Sequence, residues 1–288
     1  MKGIAFAPGH ISAFFEPVYS PQGMDRCGSR GAGVAISLGA VSHVMVQPAS
    51  RRTIAVQING KMSAAPVTKL AVNYLTGDTS LRISVNTMMD LPVGQGFGMS
   101  AAGALSTTLA LSDLLNLPRE HAVKAAHYAE IQSRTGLGDV VASSFGGIEI
   151  RRKAGLPPWG MIEHIPGKYE IILCVVGKKI ETKTILANTT KLEEIASYGR
   201  YCTKKLLQRP TLEHLFSLGL EFTKKIDIAD KRVIQAIRSA NTQGMASMCM
   251  LGNSVFATGD TPMLCTILTP YGKVFCCTVD EQGARVLQ

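Results

Sequence analysis

Apolar and polar residues alternate through Leu81-Arg-Ile-Ser-Val85, a pattern that predicts a strand over 81–87. Directly after it, Gly94, Gly96 and Gly98 occupy alternate positions. Ser100 to Leu115 then reads as a helix, small at its start and leucine-rich later. A strand, a glycine loop and a helix N-terminus together form a cradle for phosphate. Glycine lets the backbone approach an anion, and the free N–H groups of the helix start face it. The same loop read alone also fits a tight turn that packs a helix closely on a sheet. It is not a Walker loop, because no Lys-Ser or Lys-Thr pair follows the last glycine.

The pattern elsewhere predicts a mixed chain. Ile4 to Ala7 is a short apolar strand that Pro8-Gly9 should stop, and Gly28-Ser29-Arg30-Gly31 is a second glycine-rich turn. Gly33 to Val46 reads as a strand or bent strand pair. Thr53 to Ile58, Asn59-Gly60 and Lys61 to Ala65 give a hairpin signal. Val67 to Leu75 is a helix ended by Gly77, and Pro118 opens another that runs to about Gln132. A glycine turn, Thr135-Gly-Leu-Gly-Asp139, precedes the strand Ile148 to Arg151. The stretch from Lys153 to Gly167 holds three prolines and three glycines and is the best boundary between domains. Beyond it come a strand at Tyr169 to Val176 and helical periodicity through Thr189–Gln208, Thr211–Lys225 and Asp230–Asn241. Met245 to Leu251 fits a helix or a strand. Strands are expected at Asn253 to Thr258, Met263 to Leu268 and Lys273 to Val279. Without a strict βαβ repeat the class is α+β, with domains at 1–155 and 156–288.

Composition narrows the function. No apolar run is long enough to span a bilayer, and the N-terminus is too short and interrupted for a signal peptide. Seven cysteines without metal spacing read as reduced thiols in a cytoplasmic protein. The net charge of +9 suits an anionic partner. No arginine-rich tract interleaved with aromatics points to nucleic acid.

Four pieces stand together: Pro8-Gly9-His10, the loop from Pro92 to Ala102, Glu130 with Asp139, and Leu251-Gly252-Asn253-Ser254. Their order and spacing resemble the GHMP kinases, which phosphorylate small alcohols. The central motif of that family reads Pro, three residues, Gly-Leu-Gly-Ser-Ser-Ala-Ala. Here it is Pro92-Val-Gly-Gln-Gly96-Phe-Gly98-Met-Ser100-Ala-Ala102. Within the family, Ala-Pro-Gly-His-Ile-Ser-Ala-Phe-Phe, Gly-Ser-Arg-Gly-Ala-Gly-Val and the loop itself resemble the archaeal branch that acts on pantoate.

The resemblance implies an N-terminal nucleotide-binding domain, a C-terminal ferredoxin-like domain and a substrate held between them. It implies ATP and Mg2+, with ATP bound by Pro92, Gly94, Gln95, Gly96, Phe97, Gly98, Met99, Ser100 and Ala101. Ser100 and Glu130 take the metal positions, and Asp139 takes that of the aspartate accepting the proton of the attacking hydroxyl. Read without the motifs, Glu130 is a solvated helix carboxylate and Asp139 a helix cap. Met99 replaces the first serine of the family loop, and His10 stands where mevalonate-type members carry lysine. Pantoate needs a cation for its carboxylate; Arg151 ranks first, His10 second and Arg30 third. Gly252 is also expected at the substrate, and Phe14 and Phe15 could form an apolar wall. The expected assembly is a homodimer with no nucleic-acid or membrane partner.

Overall fold

The computed structural model describes residues 1–180 and 189–287. Two sheets carry the chain. The first has eight strands: β1 (Lys2–Val18), β2 (Gly28–Pro48), β3 (Thr53–Ile58), β4 (Lys61–Met62), β5 (Leu81–Met89), β6 (Ile148–Lys153), β7 (Met161–Ile165) and β12 (Arg285–Leu287). Their order is β12-β1-β2-β5-β3-β4, with β6 also on β2 and β7 on β6. Sheet membership therefore changes between Ile165 and Glu170, and the last strand returns to the first sheet.

Several local expectations give way to tertiary pairing. Pro8-Gly9 does not stop β1. The strand continues through them, and a register shift at Pro8/Gly9 absorbs the proline that cannot donate to the ladder. Gly28 to Gly31 is extended strand rather than a turn, because β2 pairs with β1 as far as Val18↔Gly28. The hairpin at Asn59-Gly60 forms with positive φ at both residues, but its second strand is only Lys61–Met62. Met263 to Leu268 is helical, not a strand. Asp260 accepts from the Met263 N–H, and Pro262 sits in the first turn, so capping chemistry prevails over the apolar run.

The helices of the first half are α1 (Pro66–Thr76), α2 (Met99–Leu114), α3 (Arg119–Ser133) and α4 (Asp139–Phe145). α1 crosses between the parallel strands β3 and β5. α2 is buried on all sides from Ala101 to Ser112, which is why its sequence shows no amphipathic stripe. Its hydroxyls are satisfied inside: Ser106 bonds Ser42 at 2.7 Å, and Thr108 donates to the Ala122 carbonyl at 3.0 Å.

The second sheet, β8 (Glu170–Val175), β9 (Gly244–Met248), β10 (Ser254–Gly259) and β11 (Lys273–Thr278), is antiparallel in the order β11-β8-β10-β9. Helices α5 (Thr189–Gln208), α6 (Leu212–Ile226) and α7 (Lys231–Ala240) lie between β8 and β9, and α8 (Thr261–Leu268) between β10 and β11. Numbered within the sheet, the strand order is 4-1-3-2, which is ferredoxin-like. Phe222 of α6 meets Phe14 and Phe15 of β1 at ring distances of 6.4 and 6.2 Å. One continuous core thus joins the two sheets and fixes the cleft between them.

Candidate active site

The cleft has a volume of about 670 Å³, large enough for a nucleotide and a small acceptor. The glycine loop forms its floor. Gly98 precedes α2 in the left-handed region, at φ 62°, and frees the first N–H groups of the helix. The loop is held from behind as well. His10 N–H donates to the Phe97 carbonyl at 3.0 Å, Gln95 Nε2 donates to the Gly177 carbonyl at 2.9 Å, and Ser254 Oγ donates to the Gln95 carbonyl. Gly252 backs onto Gln95 so closely that a Cβ there would overlap its carbonyl. It supports the loop and does not line the cleft.

Ser100, Glu130 and Asp139 come together in this cleft. Ser100 Oγ, in the first turn of α2, donates to Glu130 Oε1 at 2.6 Å. The α3 carboxylate is 3% exposed. Burial pushes Glu130 up to about 7; the Ser100 bond opposes the rise and the Asp139 charge adds to it. Gly136 lies over both acids: a Cβ there would fall on Glu130 Oε2 and come within 2.9 Å of Asp139 Oδ2.

Asp139 is the first residue of α4, yet its side chain caps nothing. It turns to His10 Nδ1, 2.7 Å from Oδ1. His10 is 0% exposed, and its Nε2 lies 2.7 Å from Glu149 Oε1. Glu149 in turn accepts from Arg151 Nη1, and Arg151 Nη2 donates to Ser12 Oγ at 3.1 Å. Burial raises Asp139, but the bond and charge of His10 and the charge of Arg151 outweigh it and hold Asp139 below the usual carboxylate range. Burial likewise opposes the charge on His10, yet the two carboxylates raise it above the usual histidine value.

Arg151 therefore lies beneath the cleft, 2% exposed, with its Nε unpaired. Ser12, to which it donates, lines the cleft beside Phe15 and Ser29. Phe14 is in the core. Arg30 faces away and pairs with Glu16 at 2.5 Å, a carboxylate it shares with Arg200.

Sequence reasoning missed three features. Glu149 looks like an outward residue of an Ile-Glu-Ile-Arg strand. Its partners emerge only from the register Gly33↔Glu149 and Gly31↔Arg151, in which two glycines of β2 leave room for the two charged side chains. Lys179 packs its stem on Gly94 and is the one cation lining the cleft among the described residues. Ile58, Ala65, Val67, Met89 and Val93 give the far end an apolar lining that no motif marks.

Known proteins resemble this chain along most of its length. A family model described as the GHMP kinases N terminal domain matches residues 65–147. A pantoate kinase from Methanocaldococcus jannaschii is 33% identical over 251 residues, covering 87% of this chain and 90% of that protein. One from Methanospirillum hungatei is 32% identical, covering 98% and 96%. A solved structure titled "Phosphotransferase related to CoA biosynthesis pathway" superposes with a TM-score of 0.89 at 29% identity, covering 100% of this chain and 99% of the other. Likeness of this extent runs through both sheets and every wall of the cleft, well past the glycine loop, and by it the chain belongs to the GHMP kinase family.

Proposed function

We propose that the chain transfers the terminal phosphoryl group of ATP to the primary hydroxyl of pantoate, giving 4-phosphopantoate on an archaeal route to coenzyme A. The observation that carries this reading is the meeting of Glu130 and Asp139 over Gly136, in the same cleft as the glycine loop. One carboxylate then has a metal role and the other faces the acceptor. The pantoate kinases that this chain resembles support the choice of acceptor.

The residues present suit Mg2+. A hydroxyl and one carboxylate, Ser100 and Glu130, leave room for phosphate oxygens and water, as that ion prefers. Glu130 has a hydroxyl partner and a strained protonation balance in the cavity, which a cation would relieve. When bound, the cation offsets charge on the phosphates. The chain's own residues do the rest. Loop N–H groups and Lys179 hold the phosphates, and the apolar end at Ile58, Val67 and Met89 suits a base. Asp139 Oδ2 receives the proton of the acceptor hydroxyl.

The acceptor's carboxylate fits the end formed by Ser12, Phe15 and Ser29. Ser12 Oγ accepts from Arg151, so its own hydrogen is available to donate to an anion. Ser12→Ala is expected to raise KM for pantoate about tenfold or more, the cost of a hydrogen bond to a charged group, with KM for ATP unchanged. Equal rises in both constants would count against this placement. Lys179→Ala is expected to act in the opposite sense, raising KM for ATP and not for pantoate.

The direct test is ADP release by the purified chain with ATP, Mg2+ and a panel of pantoate, homoserine, mevalonate and galactose. Pantoate should dominate; preference for homoserine or mevalonate would overturn the reading. Among the described residues no helix is long and apolar enough to cross a membrane. All seven cysteines are free, which supports a reducing, cytoplasmic compartment. The reading includes a homodimer, checked by a sedimentation mass of twice 30.8 kDa.

A further inference from the structure

His10 meets a carboxylate oxygen at each ring nitrogen: Asp139 Oδ1 at Nδ1 and Glu149 Oε1 at Nε2, both at 2.7 Å. Ionised carboxylates only accept hydrogen bonds, and a neutral imidazole has one N–H. A neutral ring would turn a bare lone pair onto one of these oxygens at 2.7 Å. With both carboxylates ionised, two donors are needed, and the doubly protonated ring supplies them.

A competing contact exists. Arg151 Nη1 lies 3.2 Å from His10 Nε2, and a bond there would need Nε2 to accept. The shorter distance to Glu149 Oε1 claims the Nε2 proton, and Arg151 Nη1 has Glu149 Oε1 as its own acceptor. Glu149 therefore separates two cations. It is 0% exposed, so water does little to screen its charge. Without that charge, an imidazolium and a guanidinium would face each other in a buried space.

The other ring nitrogen, Nδ1, holds Asp139, which lines the cleft. Because His10 occupies Oδ1 of Asp139, Oδ2 is left on the side of Gly136 and Glu130. We infer that Glu149 is a positioning residue: it keeps His10 doubly protonated, and His10 anchors Asp139 so that Oδ2 is presented to the acceptor hydroxyl. The inference rests on the reading of Asp139 as the group that receives the acceptor's proton. Glu149 itself does not line the cleft. The charged groups around His10 are Asp139 of α4 and Glu149 and Arg151 of β6, with Glu130 of α3 beyond Asp139.

Glu149→Gln keeps the shape and an acceptor but removes the charge. The ring then sheds a proton; the amide can donate to the bare Nε2, but Asp139 is left anchored by a neutral ring in place of an imidazolium. The fall should appear in kcat, because the weaker bond holds Asp139 Oδ2 less firmly in place. KM for ATP should hold, since the loop and Lys179 are untouched. A purely structural Glu149 would lower the folded fraction without separating kcat from KM.

The experiment is nitrogen NMR of the full chain labelled at histidine, with steady-state kinetics on the same samples. At about pH 7.5, a unit above the ordinary histidine value, wild-type His10 should show two protonated nitrogens. Glu149→Gln should show one, with kcat about 10–100-fold lower and KM for ATP within about twofold. The double variant His10→Gln/Glu149→Gln should be no slower than His10→Gln, because Glu149 acts through the ring. Should Glu149→Gln fail to fold, Glu149→Asp keeps the charge and should retain the doubly protonated ring; the wild-type spectrum needs no variant. A neutral His10 in the wild type, an unchanged kcat in Glu149→Gln, or additive losses in the double variant would overturn the inference. Absent ADP release with a doubly protonated ring overturns the kinase reading instead.

Discussion

Glu130→Gln is expected to abolish turnover and, in the absence of added cation, to make the protein more stable above neutral pH. The two effects share one cause. Glu130 is buried, and its partner Ser100 supplies a hydrogen bond without a charge. Burial raises its pKa from the usual 4.5 to about 7. A carboxylate whose folded value is raised binds its proton more tightly when folded. Stability is then greatest below about 4.5, falls as pH rises toward 7, and stays low beyond it. At about 1.4 kcal/mol per pH unit, that interval amounts to about 3 kcal/mol of destabilisation by the charged form. The amide never ionises, so the variant escapes this cost. Its melting temperature should exceed that of the wild type by several degrees at pH 8 and match it near pH 5. Magnesium with nucleotide should stabilise the wild type more than the variant, which keeps the loop and Lys179 but loses the metal-holding carboxylate. Equal melting temperatures at both pH values would mean that Glu130 is not held charged against burial.

Asp139→Asn is the second large effect, and its stability change has the opposite sign. Loss of a general base costs about 10²–10⁴ in rate, and the amide cannot take the acceptor's proton. KM for either substrate should change little, because the side-chain shape is kept. The folded pKa of Asp139 lies below the usual value: burial raises it, but His10 and Arg151 more than compensate. Such a carboxylate stabilises the fold above about pH 4, and the contribution is lost as pH falls through the lowered value. Asp139→Asn should therefore melt below the wild type at neutral pH, whereas Glu130→Gln melts above it. A near-normal kcat in Asp139→Asn would make the aspartate structural and leave catalysis to positioning alone.

These opposite signs come from what each acid touches, a hydroxyl for Glu130 and an imidazolium for Asp139. No spacing along the chain distinguishes them. Both are single acids beside apolar or glycine-rich segments. The motif order was enough to bring Ser100, Glu130 and Asp139 into one candidate site. It did not reveal that His10 is wholly buried, or that Arg151 lies beneath the cleft and donates to Ser12 in its wall.

Sequence by itself determined the loop and the helices that flank it. Glycine spacing, caps and periodicity act over a few residues, and the forces they report are local. Hence α1, α2, α3, α5, α6 and α7 lie within a residue or two of where the pattern puts them. Apart from Met263 to Leu268, which the local Asp260 cap turns into helix, what failed was decided by pairing with other strands. β1 runs through Pro8-Gly9 because β2 offers a matching shifted register, and Gly28 to Gly31 is strand because Phe15 to Val18 pair with it. Glu149 became part of the buried network in the same way, through pairing with Gly33 more than a hundred residues earlier. The ordering of charges beneath the cleft depends on register and burial, and only the folded chain brings Glu149, His10 and Asp139 close enough, and dry enough, for one charge to set the next.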